Sequence, residues 1–172
     1  MSIVAQKSLS INFICKKPTG FLCLVKNSLK IENEDDKLET VNGKDDATEY
    51  RILTIEKAIN FIPLNLGKMF PELSTLKVKK SLIKSVTKEN LRGLQTLTEL
   101  DLPENNITNL PENVFEELVL LQKLSLDRNH ISNLELNIFA KNIDLEEISL
   151  SFNNLYFIHE KTFVNLINLK HL

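Results

Sequence analysis

The chain has 172 residues and a mass of 19.7 kDa, enough for one domain or a short array with a real core. A formal charge of −2 (21 Lys and Arg against 23 Asp and Glu) and a pI near 6.0 exclude a strong field for nucleic acid or an anionic membrane. Hydrophobic residues at 42% and charged residues at 26% exclude a largely disordered chain, no run of 18 apolar residues offers a helical membrane span, and two cysteines are too few for a disulfide framework or a four-cysteine zinc site.

From Met1 to Lys17 no signal peptide is evident, because Gln6, Lys7, Ser8, Ser10 and Asn12 interrupt any apolar stretch. Residues 10–26 read as a hairpin: Ile11, Phe13 and Cys15 alternate before Lys17-Pro18-Thr19-Gly20, and Phe21, Cys23 and Val25 alternate after it. Folding about Thr19 sets Cys15 opposite Cys23 and Phe13 opposite Val25. A Cys15–Cys23 disulfide is then geometrically reasonable, and two buried free thiols in a reducing compartment are the alternative. Residues 30–49 carry eight carboxylates against Lys30, Lys37 and Lys44. They lack the calcium-loop spacing and read as a solvated acidic loop with a tight turn at Asn42-Gly43. Residues 1–49 together are expected to form an N-terminal cap.

Residues 50–72 form an irregular first coil, with a strand through Tyr50, Leu53 and Ile55, then Ile59 and Ile62-Pro63. Leucine counts then change sharply: 5 in residues 1–49, 3 in 50–72 and 22 in 73–172. A fixed offset of 24 relates Leu97, Leu100, Leu102, Asn105, Ile107, Leu110 and Phe115 to Leu121, Leu124, Leu126, Asn129, Ile131, Leu134 and Phe139. The same offset leads on to Leu145, Ile148, Leu150, Asn153, Leu155, Ile158 and Phe163. Upstream, Leu73, Leu76, Val78, Ile83 and Val86 keep the register with Ser81 at the Asn place. Units therefore start near 50, 73, 97, 121 and 145, with a partial one at 169, so that residues 50–172 form a repeat array.

In Glu99-Leu100-Asp101-Leu102-Pro103 the period is two, so the leucines face inward and their neighbours outward. Asn105, Asn129 and Asn153 stand where each strand must turn. Their amides offer a donor and an acceptor to the backbone of adjacent coils, forming a ladder. Phe115, Phe139 and Phe163 fill the wider convex side. One such unit buries too little to fold alone, so stacked neighbours must share a core.

The pattern L-x-x-L-x-L-x-x-N-x-L resembles the leucine-rich repeat family over about residues 50–172. With 24 residues per unit and Phe at the nineteenth place, it is similar to the extracellular type. The opening segment, with Cys15, Cys23, Phe61-Ile62-Pro63 and Phe70-Pro71, is similar to secreted insect members. The resemblance implies an α/β solenoid, with a curved parallel sheet on the concave side and loops and short helical turns on the convex side, capped by the N-terminal hairpin.

Outward strand positions are the candidate partner contacts. Lys77, Lys79 and Lys80 give one coil +3, and Glu99, Asp101 and Glu104 give the next −3. Lys123, Asp127 and Arg128 give +1, and Glu146 and Glu147 give −2. Banding of this kind suits a protein with complementary bands better than a uniformly anionic polymer, although exposed rows also pair among themselves. Phe152, with Tyr156 and Phe157 in the following turn, reads as an aromatic anchor or as a surface that a further coil covers. Asn106-Ile107-Thr108 is the sole glycosylation sequon.

No metalloprotease, phosphate-loop, hydrolase-elbow or dinucleotide motif occurs, and His130, His159 and His171 fall at unrelated places in their coils. The expectation is a non-enzymatic binding module without cofactor or metal. Its partner is a protein rather than nucleic acid, and it is secreted or at the cell surface; an intracellular scaffold or regulator is the alternative. Leu169 and Leu172 open another L-x-x-L, an uncapped end that suggests a longer array or association through that end.

Overall fold

A computed structural model describes the backbone of residues 8–11, 13–16, 22–25 and 37–41, and backbone and side chains of residues 51–55 and 59–172. Strands β1 (Ser8–Ile11), β2 (Phe13–Lys16), β3 (Leu22–Val25) and β4 (Lys37–Val41) precede β5 (Ile52–Ile55). Helix α1 (Leu66–Met69), β6 (Thr75–Val78), α2 (Lys88–Leu91), β7 (Glu99–Asp101), β8 (Lys123–Ser125) and β9 (Glu147–Ser149) follow. The main sheet has the order β2-β3-β5-β6-β7-β8-β9. Every neighbouring pair from β3 onward is parallel, and β2 alone runs antiparallel.

The pairing of β2 with β3 sets Phe13 opposite Val25 and Cys15 opposite Cys23 along the backbone; the two thiols lie outside the described side chains. One difference from the sequence expectation falls in the acidic stretch. Within residues 30–49, Lys37–Val41 is a strand that pairs in parallel with β1, not part of a continuous loop. Leu38, Thr40 and Val41 give that short run β-forming side chains amid the charges.

Leu53, Leu76, Leu100, Leu124 and Ile148 lie side by side across five strands. All five are buried. One continuous core runs through the stacked coils from Leu53 to Leu166, because the side-chain period of two turns every second strand residue inward. The step from β5 to β6 is 23 residues, and each later step is 24. On the convex side Phe115 stacks on Phe139 at 6.0 Å between centroids, and Phe139 on Phe163 at 5.8 Å. These rings occupy the width that Leu91 fills in the earlier coil.

Strands β6 to β9 each leave the sheet through a residue in the left-handed region: Lys80, Glu104, Arg128 and Phe152, with φ of 52°, 54°, 53° and 58°. The residue after each is Ser81, Asn105, Asn129 or Asn153. Asn129 Nδ2 donates to the Leu102, Leu126 and Asp127 carbonyls at 3.0, 2.9 and 3.3 Å, and its Oδ1 accepts the Ile107 N–H at 3.1 Å. Asn105 serves Val78, Leu102, Pro103 and Ile83 in the same way. Asn153 serves Leu126, Leu150 and Ile131. A single side chain thus closes the turn of its own coil and fills backbone groups of the coil before it.

Two short helices meet closely on the convex side. A Cβ on Gly67 in α1 would stand 2.3 Å from the Gly93 carbonyl carbon and 2.5 Å from the Arg92 carbonyl oxygen. Gly93 itself has φ of +77°, which L side chains rarely adopt. Backbone therefore packs on backbone here, and Asn90 braces it by donating to the Ile62 carbonyl at 2.7 Å. Gly67→Ala is expected to lower stability by about 2–3 kcal/mol, since rigid main chain must move apart. Equilibrium urea denaturation checks this, and an unchanged midpoint contradicts the contact.

Candidate functional site

The alternation that buries the leucines sends the other strand residues to the concave face, in rows set by the strand register. The sequence candidates there are joined to one another. Lys77 Nζ meets Glu99 at 2.6 Å, Lys79 meets Asp101 at 2.5 Å, and Lys80 meets Glu104 at 3.9 Å. Lys123 meets Glu147 at 2.9 Å, and Lys170 meets Glu146 at 2.8 Å. The bands of alternating sign therefore largely neutralise each other across neighbouring coils. These pairs lie at the surface, where solvent screens them and they add little stability.

The hydrogen bond from Lys123 is the main reason the Glu147 carboxyl sits below the ordinary carboxylate range. The same bond holds Lys123 above the ordinary lysine value. The pair's contribution is present above the usual carboxylate range and lost as pH falls through the depressed Glu147 value. On the alkaline side it is lost as pH rises through the raised Lys123 value.

Asp127 departs from this arrangement. Its Oδ1 accepts the Ser149 hydroxyl at 2.5 Å and the Ser151 backbone N–H at 2.8 Å, and no cation among the described residues reaches it. Arg128, the next residue, lies over the Phe152 ring with Cζ 4.3 Å from the centroid, a stacking that holds a guanidinium on an aromatic face. Phe152 is 73% exposed and Tyr156 81%. No ring contact joins these two among the described residues; Phe157 instead meets His159 edge-on at 6.4 Å. The aromatic group of the last full coil is thus spread over the turn, not gathered into one anchor.

Asn106 is half-buried, and its backbone N–H donates to the Ile83 carbonyl. Among the histidines, His159 Nδ1 accepts the Lys161 N–H at 3.1 Å, a turn contact. No group of three His, Cys, Asp or Glu side chains able to hold a metal occurs among the described residues, and no helix among them is long and apolar enough to cross a membrane. The features that residue-by-residue reading passed over are the diagonal pairs, Lys77 with Glu99 and Lys79 with Asp101. Their signal is an opposite charge 22 positions along the chain, two short of the repeat.

A sequence model of the leucine rich repeat matches residues 71–131 and 119–172. The chain belongs to the leucine-rich repeat family. No curated protein matches the sequence significantly. Among solved structures, the LRIM1/APL1C complex contains a chain superposing with a TM-score of 0.79 at 23% identity, over 93% of this chain and 30% of that one. The APL1 leucine-rich repeat domain gives 0.77 at 22%, over 94% of this chain and 41% of that one. The Toll–Spatzle complex, titled a molecular hub in Drosophila development and innate immunity, gives 0.69 at 22%, over 74% and 18%. At such identities the likeness is one of fold. The chain spans between 18% and 41% of the length of these leucine-rich repeat proteins.

Proposed function

We propose that this leucine-rich repeat chain is a non-enzymatic protein-binding module of extracellular recognition, of innate-immune, receptor-ectodomain or matrix type, and that it binds through its concave strands and their Phe152 rim. The observation that carries the reading is Phe152. Where the preceding coils place Lys80, Glu104 and Arg128, this coil places an exposed phenyl ring, supported by a guanidinium from the coil before. Buried aromatic anchors contribute a large share of interface energy. The LRIM1/APL1C and Toll–Spatzle structures, both complexes, support a partner of protein type. A Cys15–Cys23 bridge and a glycan at Asn106 belong to this extracellular reading, as does association through the exposed apolar residues of the last coil.

The test is photo-crosslinking from Ser125 on the concave face and from Lys141 on the convex side, using extracellular fluid of the source organism. Crosslinks from Ser125 are expected. Affinity for the captured protein should fall about 10- to 100-fold in Phe152→Ala, the range for loss of an aromatic anchor, with an unmoved thermal transition. Crosslinks from Lys141 alone, or an unchanged affinity, refute the proposal. The small number of cysteines favours a second reading, an intracellular scaffold. Thiol mapping of native protein separates the two: a reducible Cys15–Cys23 pair supports export, and two free thiols support the scaffold.

A further inference from the structure

We infer that the concave groove receives a basic side chain of a protein partner at Asp127, an inference that rests on the concave-face reading above. The open groove along β7, β8 and β9 has a volume of about 530 Å³, and Lys123, Ser125, Asp127, Glu147, Ser149 and Ser151 are among the residues that line it. Comparison between coils isolates Asp127. Lys79, Asp127's counterpart two coils earlier, reaches diagonally to Asp101 on the next strand. From Asp127 the same diagonal reaches Ser149. The diagonal that gives Lys79 a charge partner gives Asp127 a hydroxyl.

Glu99, Asp101, Glu104 and Glu147 are each paired with a lysine; among the described residues, Asp127 is not. Its carboxylate is nevertheless held in place. The Ser149 hydroxyl and the Ser151 N–H both bond Oδ1, which leaves Oδ2 to an incoming donor. A carboxylate oriented before binding loses little freedom when it pairs, and charge-assisted bonds to it are the stronger kind. No group of three His, Cys, Asp or Glu side chains placed to hold a metal ion includes Asp127 among the described residues. The complementary group is therefore a guanidinium or an ammonium, carried on an extended segment because the groove runs across strands.

The test uses the full chain, ¹⁵N-labelled, with two acetylated and amidated Gly/Ser octapeptides that carry either one central Arg or one central Glu. The Arg peptide is expected to shift the Ser151 amide saturably, with a Kd on the order of millimolar for so small a contact, and to lose affinity as salt rises. The Glu peptide should leave that amide unmoved. Asp127→Asn, which keeps an acceptor for Ser149 and Ser151, should weaken the Arg peptide about tenfold, as loss of a charge-assisted bond does. A Ser151 amide that does not respond in the wild type, equal responses to both peptides, or an unchanged Arg affinity in the variant each overturn the inference. If Ser125 crosslinks and Phe152→Ala weakens the partner while Asp127→Asn does not, the concave-face reading stands and the basic-residue inference falls.

Discussion

Leu126→Asp is expected to abolish the cooperative unfolding transition of the array. Leu126 is fully buried, and its backbone N–H pairs with the Ser149 carbonyl of the next coil. A carboxylate placed there sits in the apolar core that includes Leu102 and against which Leu150 packs. Transfer of an unpaired charge to such a site costs several kcal/mol at least, against a total stability of about 5–15 kcal/mol for a domain. Because coils share one core, the loss does not remain in its own coil. Far-UV circular dichroism during heating reads the effect. Leu120→Asp is the control: that neighbouring residue is 46% exposed, and its replacement should change stability by no more than about 0.5 kcal/mol. A normal transition in Leu126→Asp, or equal damage from both, contradicts the inward assignment.

Asn129→Ala should cost about 3–5 kcal/mol, more than an average substitution. The change strands the buried Ile107 N–H, for which the Asn129 side chain is the acceptor at 3.1 Å. It also takes away the Nδ2 bonds to Leu102 and Leu126. A buried donor left without a partner costs about 1–3 kcal/mol by itself, and the vacated side-chain space adds to it. Urea titration gives the difference, and amide exchange of Ile107 gives its place. Exchange at Ile107 should approach that of a surface amide in the variant. Protection equal to the wild type shows that the backbone finds another acceptor and that the ladder is dispensable at this coil.

The core was readable because its cause is local and repeated. Leu100, Leu124 and Ile148 recur at a fixed offset, and any fold that buries them must stack the segments between them. The hairpin register at Cys15 and Cys23 was equally readable, since alternation about a Pro-Thr-Gly turn permits little else. Strand β4 was not. Lys37-Leu38-Glu39-Thr40-Val41 is short and charged, and its pairing with β1 depends on a distant segment that no local pattern announces.

At the site, sequence placed each outward residue on its face but not its partner. Arg128 over Phe152 and Ser149 on Asp127 depend on side-chain directions across coils, and a diagonal step of 22 residues is hidden within a repeat of 24. Exposure of Phe152 followed from its place in the repeat. The separation of Tyr156 from it did not, because the turn after Asn153 follows its own path.

The asparagine ladder points one way along the chain. Asn129 serves Ile107 and Leu102, and Asn153 serves Ile131 and Leu126, so each coil is finished by the one synthesised after it. On a ribosome adding about 5–20 residues per second, with N-terminal portions folding first, every coil waits roughly one to five seconds for the asparagine that completes it. Until then the Ile107 and Ile131 amides lack the side-chain acceptors that the following coils supply.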